Sequence, residues 1–249
     1  MEQRLREAWH HLQQRLDLAV DKKGGARSLL RTQRPEVVWE VVEQVEERWW
    51  QVLVQHYGFG ETGPGASRPY HCFTHVNALL DLCLAYESAL KRRNLVELAI
   101  FFHEYLRYKC SVVYDAKAKD NEEQSALMFE QYADEVGLSA EAKTTVAKWI
   151  IDTKTHTTAD IHGDEDEAYF LDFDLAVLGE DEDQYDTYAR HIRTEYAHYP
   201  DEAYRSGRHV LESFLLVPSL FRTQAFKEAR EAKARSNIRR EIDRLRGGG

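Results

Sequence analysis

The chain has 249 residues, 43% of them apolar and 31% charged, which describes a soluble globular domain long enough to bury a substantial core. A formal net charge of -10 argues against general nucleic-acid binding, because a phosphate-binding surface needs a basic excess. Three cysteines, Cys72, Cys83 and Cys110, are too few and too scattered for a disulfide framework or a Cys-based zinc site, and fit a reducing compartment. No apolar run reaches the length of a membrane span, and Met1-Glu2-Gln3-Arg4 does not open a signal peptide, so the expectation is a cytoplasmic protein without a membrane partner.

In chain order, Leu5, Ala8, Trp9, Leu12, Leu16 and Ala19 recur at threes and fours, which predicts an amphipathic helix over 2–20. It ends at Lys22-Lys23-Gly24-Gly25. A second helix opens at Pro35, with Val38, Val41, Val42, Val45, Trp49 and Val52 on one stripe. The turn-rich segment from Gly58 to Ser67 follows and reads as a rim loop beside a site. Neither Gly nor Pro occurs from Tyr70 to Val136, so helices should dominate there, interrupted around 116–120, with Val112-Val113-Tyr114 as a candidate extended segment. Asp120 or Asn121 can cap the helix that carries Glu122, and Ser139 opens another that runs to about Lys154. A loop over 156–164 precedes a helix over 167–178 that carries Asp172 and Asp174 and stops at Gly179. Helices over 185–199 and 201–216 are separated by Pro200, and a long Arg-rich helix fills about 219–246. The fold class is therefore all-α, one domain over 1–249, with a core at about 36–216 and the two terminal helices packed on it.

The densest chemistry lies between Tyr70 and Glu104. His71 and His75 stand four residues apart, so on a helix opening at about Tyr70 they share one face, as metal ligands or as an acid/base pair. Unpaired backbone donors in that first turn would suit a phosphate. His103 and Glu104 follow a second apolar helical run, and an adjacent imidazole and carboxylate both suit divalent first-row ions.

Tyr70-His71-x-x-x-His75-Val76, then His103-Glu104, then Asp174-Leu175, resembles the HD-domain superfamily of metal-dependent phosphohydrolases. Asp120 through Ala126, Leu171 through Gly179, Tyr188 through Tyr196, Gly207-Arg208 and Ala234 through Asn237 are similar to the small group described as predicted metal-dependent HD phosphohydrolases. The similarity spans from about residue 49 to the C-terminus. It implies an HD-type helical bundle in which His75, His103, Glu104 and Asp174 bind a divalent metal ion (Mn, Fe, Co, Ni, Zn or Mg). Asp174 is chosen over Asp172 because the superfamily ligand is usually followed by Leu or Lys.

By the same resemblance, extended to the cyclic-nucleotide phosphodiesterases, His71 is a general acid; the alternative is a hydrogen-bond partner behind the ligands. Glu122 would face the metal or orient His103, or else belong to a capping pair. His156 would contact substrate phosphate or an additional metal, and Arg193 would grip phosphate, with Arg208 and Arg235 at further family positions. For each arginine the favoured reading is a salt bridge between helices, with Glu195 and Glu212 among the partners. The chain departs from the family at Glu104, where Asp is expected, and in an apparent insertion over 105–111. The implied activity is hydrolysis of a small phosphorylated metabolite, plausibly a nucleotide, by a monomer or homodimer. The alternative is a catalytically impaired HD protein that binds metal or nucleotide as a regulatory module.

Overall fold

The computed structural model describes residues 1–21, 35–58, 68–104, 121–159 and 161–247, with side chains throughout except at 17–21 and 35–42. These residues form an all-α fold. The helices are α1 (Glu2–Asp21), α2 (Pro35–Tyr57), α3 (Phe73–Ala85), α4 (Arg93–Phe102), α5 (Asn121–Val136), α6 (Ala140–Asp152) and α7 (Glu165–Leu175), followed by α8 (Glu182–Glu195), α9 (Asp201–Arg208), α10 (Val210–Leu216) and α11 (Gln224–Gly247). Single 3-10 turns at Glu87–Ala89 and Ala176–Gly179 complete the set. The expected extended segment at Val112-Val113-Tyr114, the insertion over 105–111 and most of the 58–67 loop lie outside the described residues, as does Cys110.

The fold is built around α4. Every residue from Val96 to Phe102 is buried, as expected of a helix that is apolar on all sides. It packs against α1, α3, α5, α6 and α7. Its acidic member, Glu97, is neutralised by Arg15 of α1 and by Arg93, 2.8 Å away on its own helix. The stripe of α1 buries Leu5, Trp9, Leu12 and Leu16 as its periodicity predicts. Trp9 meets Phe101 edge-on at 5.2 Å, and Trp49, Phe102 and Tyr132 extend that aromatic cluster. Edge-to-face contacts of this kind add to the area they bury. On α2 the described part of the expected stripe, Val45, Trp49 and Val52, does turn inward, and Trp50, Leu53 and Tyr57 broaden the buried face.

Local signals set the ends. Gly137 sits in the left-handed region (φ 71°), and the Leu138 amide donates to the Ala133 carbonyl, which closes α5 in a six-to-one C-cap. Two residues later Ser139 Oγ accepts from the Ala142 amide and starts α6. Asp164 caps α7 in the same way through the Asp166 and Glu167 amides. The long predicted helix over 201–216 is divided at His209 into α9 and α10. The C-terminal helix begins only at Gln224, because the amides of Leu220, Arg222 and Thr223 are taken by the Glu231 and Asp172 carboxylates and the segment before it stays in bends.

The C-terminal helix lies against the Ala176–Gly179 turn at a separation that only glycine permits. A Cβ on Gly179 would stand 2.6 Å from Arg230 Cβ and 2.9 Å from its carbonyl oxygen. Asn237 donates to the Leu178 and Glu180 carbonyls at 3.0 and 2.9 Å, and Glu241 accepts from Tyr185 and from Arg208. Asn237, Arg208 and Gly179 thus fasten α11 to the body of the protein.

One ion cluster has a pH consequence. Lys148 serves two carboxylates, Asp152 at 2.5 Å and the buried Glu167 at 2.7 Å. Burial, aided by Asp152, pushes the Glu167 carboxyl up to about 7 against the pull of Lys148. The folded state then holds this proton more tightly than the unfolded chain, so the contribution to stability falls as pH rises from the ordinary carboxylate range through about 7. Glu167→Gln should therefore gain stability relative to wild type between pH 5 and pH 8, read as the difference in urea midpoint.

Candidate metal centre

The α4 helix stops at Phe102 and delivers His103 as its C-cap and Glu104 just beyond. The buried hydroxyl of Tyr57 accepts from the Glu104 amide at 3.3 Å and so fixes the backbone at this exit. His75 arrives in the first turn of α3, which is anchored by stacking of Phe73 on Trp50 at 5.4 Å and by the Phe73 amide on the Gly58 carbonyl. Asp174 comes from the last turn of α7. Three separate segments therefore supply four ligating side chains whose donor atoms all lie within 4.8 Å of one another.

His75 Nε2 is 3.2 Å from His103 Nε2 and 3.0 Å from Asp174 Oδ1, and His103 Nε2 is 3.5 Å from the same oxygen. Donors held about 2.0–2.2 Å from one ion stand roughly 3.0–3.5 Å apart, so these spacings are those of ligands around a common cation. The Ile100 carbonyl can only accept, so at 2.9 Å His103 Nδ1 must be the donor, and Nε2 is the nitrogen presented to the cluster. Glu104 Oε2 is buried without a hydrogen-bond partner and stands 4.0 Å from His75 Nε2. An orphaned carboxylate oxygen facing two imidazoles is expensive unless a cation completes it. The group can hold a metal ion, and its two-imidazole, two-carboxylate donor set suits a divalent first-row ion.

Without an ion, protons take the place of the cation in this cluster, and a metal would have to displace them. Burial would raise the Asp174 carboxyl, but hydrogen bonds from His103, His156 and His75 hold it well below the usual carboxylate range. Burial would lower His103, yet the bond and charge of Asp174 carry it up to about 9.

The sequence spacing predicts His71 and His75 on one helical face, and the structure overturns this. The helix begins at Phe73 and not near Tyr70, because Cys72 is extended (φ -135°) and Tyr70–Cys72 form a turn after Pro69. The two histidine rings nevertheless lie 6.3 Å apart. His71 Nε2 is 3.3 Å from Glu104 Oε1, and Nδ1 is paired with Glu195 Oε2. The other Glu195 oxygen accepts from both the Tyr70 and His71 amides at 2.8 Å. The backbone donors expected to welcome a phosphate are thus taken by a carboxylate from α8. Burial opposes protonation of His71, but Glu104 and Glu195 outweigh it and raise its pKa.

Asp172 and Asp174 face opposite ways, as the helical spacing requires. Asp172 accepts from the Arg222 amide at 2.7 Å, and from the Thr223 amide and hydroxyl at 2.8 and 2.7 Å. Burial lifts its carboxyl to about 6 in spite of these bonds. Thr223 Oγ1 in turn accepts from the Phe226 amide in the first turn of α11. Arg222 reaches back to the His156 carbonyl, 2.8 Å from its Nε. His156 is held at φ 20°, and its Nε2 is 2.6 Å from Asp174 Oδ2. His156 therefore supports the ligand carboxylate as well as facing the cavity. Asp172→Ala is expected to cost about 1–3 kcal/mol, the penalty for stranded buried donors, with the metal content retained. A thermal melt beside metal analysis reads both.

Arg193 follows its salt-bridge reading, and Glu122 stands on the cavity wall. Arg193 does not reach the cluster, since its guanidinium closes the turn after α8 on the Tyr196 carbonyl at 3.0 Å and on Asp201 at 2.5 Å, and lies over Tyr204. Both ring nitrogens of His103 are engaged without Glu122, whose place is in the first turn of α5 on the cavity wall. The cavity beside the cluster measures about 160 Å³, or roughly five waters at about 30 Å³ each, and Arg68, His71, His156 and Tyr196 line it with Glu122. Glu195, Arg222 and the buried Arg68 are site residues that sequence reasoning did not find. A signal existed for Glu195 alone, in the family-like run Tyr188 through Tyr196, but the residue stood there only as a possible arginine partner.

Compared with protein-family models, with curated proteins and with solved structures, the chain matches none. Among the described residues no helix is long and apolar enough to cross a membrane.

Proposed function

We propose that this protein is a metal-dependent phosphohydrolase, an HD-superfamily member acting on a small phosphorylated metabolite. The observation that carries the reading is the convergence of His75, His103, Glu104 and Asp174 on one point, beside a cavity that a doubly carboxylate-paired histidine borders. When bound, a divalent ion supplies Lewis-acid polarisation of phosphoryl oxygens and acidifies water at neutral pH. His71 holds a proton against the cavity and delivers it from Nε2 to the leaving oxygen of the ester. Glu195 anchors Nδ1 of that ring and favours its protonated form, as a carboxylate behind a catalytic imidazole should. Arg68, fixed at the wall by its bond to the His56 carbonyl, places positive charge where the phosphoryl group would sit. His156 keeps the Asp174 carboxylate oriented.

The test is metal analysis of the purified protein together with a phosphoester screen in added Mn, Co, Ni or Mg. Turnover that depends on the metal and vanishes in His103→Ala supports the proposal. A protein that takes up no ion and stays inert overturns it, and stoichiometric metal without turnover of any phosphoester marks a binding module instead.

A further inference from the structure

A second cavity of about 470 Å³ opens between α8 and α9, and His71 and Tyr196 line it as well as the cavity at the metal centre. Its remaining wall is aromatic and aliphatic: Tyr188, Ile192, Tyr199 and Tyr204 among them, with Ala203 and Gly207 leaving open room. The volume lies within the range of small-molecule sites, about 300–1,000 Å³. The cation on this wall, Arg208, is engaged at 2.7 Å by Glu241 and lies over the Tyr188 ring, so it brings no net charge for a further phosphate. Tyr196 and Tyr199, both in this wall, lie nearly parallel, 6.2 Å between ring centroids and 23° between ring planes.

We infer that this cavity is the leaving-group subsite, and that it takes an uncharged planar ring system carried on the alcohol of a phosphomonoester, such as the base of a nucleoside monophosphate. The inference rests on the phosphohydrolase reading for the position of the phosphate, and on the cavity itself for the chemistry of what lies beyond it. In the reaction the phosphorus–oxygen bond to this alcohol breaks, water supplies the new phosphorus–oxygen bond, and the His71 proton leaves with the alcohol oxygen. A di- or triphosphate would push negative charge into a wall of tyrosines with its cation already paired, which disfavours such substrates.

Adenosine 5′-monophosphate and ribose 5-phosphate release the same kind of primary alcohol and differ only in the ring. Wild-type protein should show kcat/KM for the first about 10- to 100-fold above the second, the scale of one stacked base. Ala203→Trp, at an exposed helical position, should collapse that ratio towards one, and Tyr199→Ala should reduce it. Equal rates for both esters in wild type, or a ratio unmoved by both variants, overturns the subsite. Should neither ester be hydrolysed, titration calorimetry with adenosine, uridine and 1-naphthol decides separately. Binding tighter than about 1 mM that Ala203→Trp abolishes sustains the subsite although the hydrolase reading has failed, and no binding overturns it.

Discussion

Purified Asp174→Ala protein is expected to lose metal affinity by more than about 100-fold, beyond the upper end of what loss of an outer-sphere partner costs. Phosphoester turnover should fall to the level of free solution. Asp174 is the anion on which the cluster is organised, since His75, His103 and His156 all address its two oxygens. Without it, three imidazoles crowd around a space with only Glu104 to balance a cation. The side chain sits at the cavity wall and is 11% exposed, so water can take its place and helicity by circular dichroism should be retained. The paired control is Asp172→Ala, two residues away, which should lose stability and keep its metal. Equal metal content in the two variants would refute the assignment of Asp174 as ligand.

Replacing His71 by Gln is expected to lower kcat by about 10²- to 10⁴-fold, the usual worth of a positioned proton donor, while metal content stays at the wild-type level. The geometry separates this residue from the ligands. One of its nitrogens is committed to Glu195 and the other borders the cavity 3.3 Å from Glu104. Glu195→Gln tests the support behind it. The amide oxygen can still accept from the Tyr70 and His71 amides, so the turn survives, but the negative charge that favours the imidazolium is gone. The expected result is a drop in kcat of about 10-fold with KM little changed, because the substrate itself does not touch Glu195. If His71→Gln loses its metal and its turnover together, the residue is a ligand and the acid role falls.

On the proposed reading, the two cavities divide the labour of a phosphoester hydrolase. The small one at the ligands is polar and sized for a phosphoryl group with water, and the large one beyond His71 is aromatic and electrically quiet. His71 stands in the wall they share, the position from which the proposed proton donor would reach a bridging oxygen. Tyr70 packs edge-on against His71 and Tyr188, at 4.9 and 4.7 Å, and so couples the ring's position to the second cavity.

Much of this was legible in the chain before any coordinate. The apolar periodicity of α1, the Gly137 and Ser139 punctuation and the two-residue offset of Asp172 from Asp174 each record a local rule, and local rules act within one or two turns. Residue type and spacing drew attention to His75, His103 and Glu104, and the resemblance to the HD superfamily joined Asp174 to them. What local rules could not supply were partners distant in sequence. Glu195 is 124 residues from His71, and nothing near it says that its carboxylate will occupy the turn at Tyr70. Arg193 lies in the same run, yet closes its own turn, because the nearest carbonyls and Asp201 reach it first. Arg222 reads as one more charge in an Arg-rich helix until Asp172 and the His156 carbonyl are brought to it. Sequence by itself therefore determined the helices and the chemical vocabulary of the site. Packing around α4 decided which atoms meet, because the energy of an ion pair or a ligand shell depends on distances that only the folded chain sets.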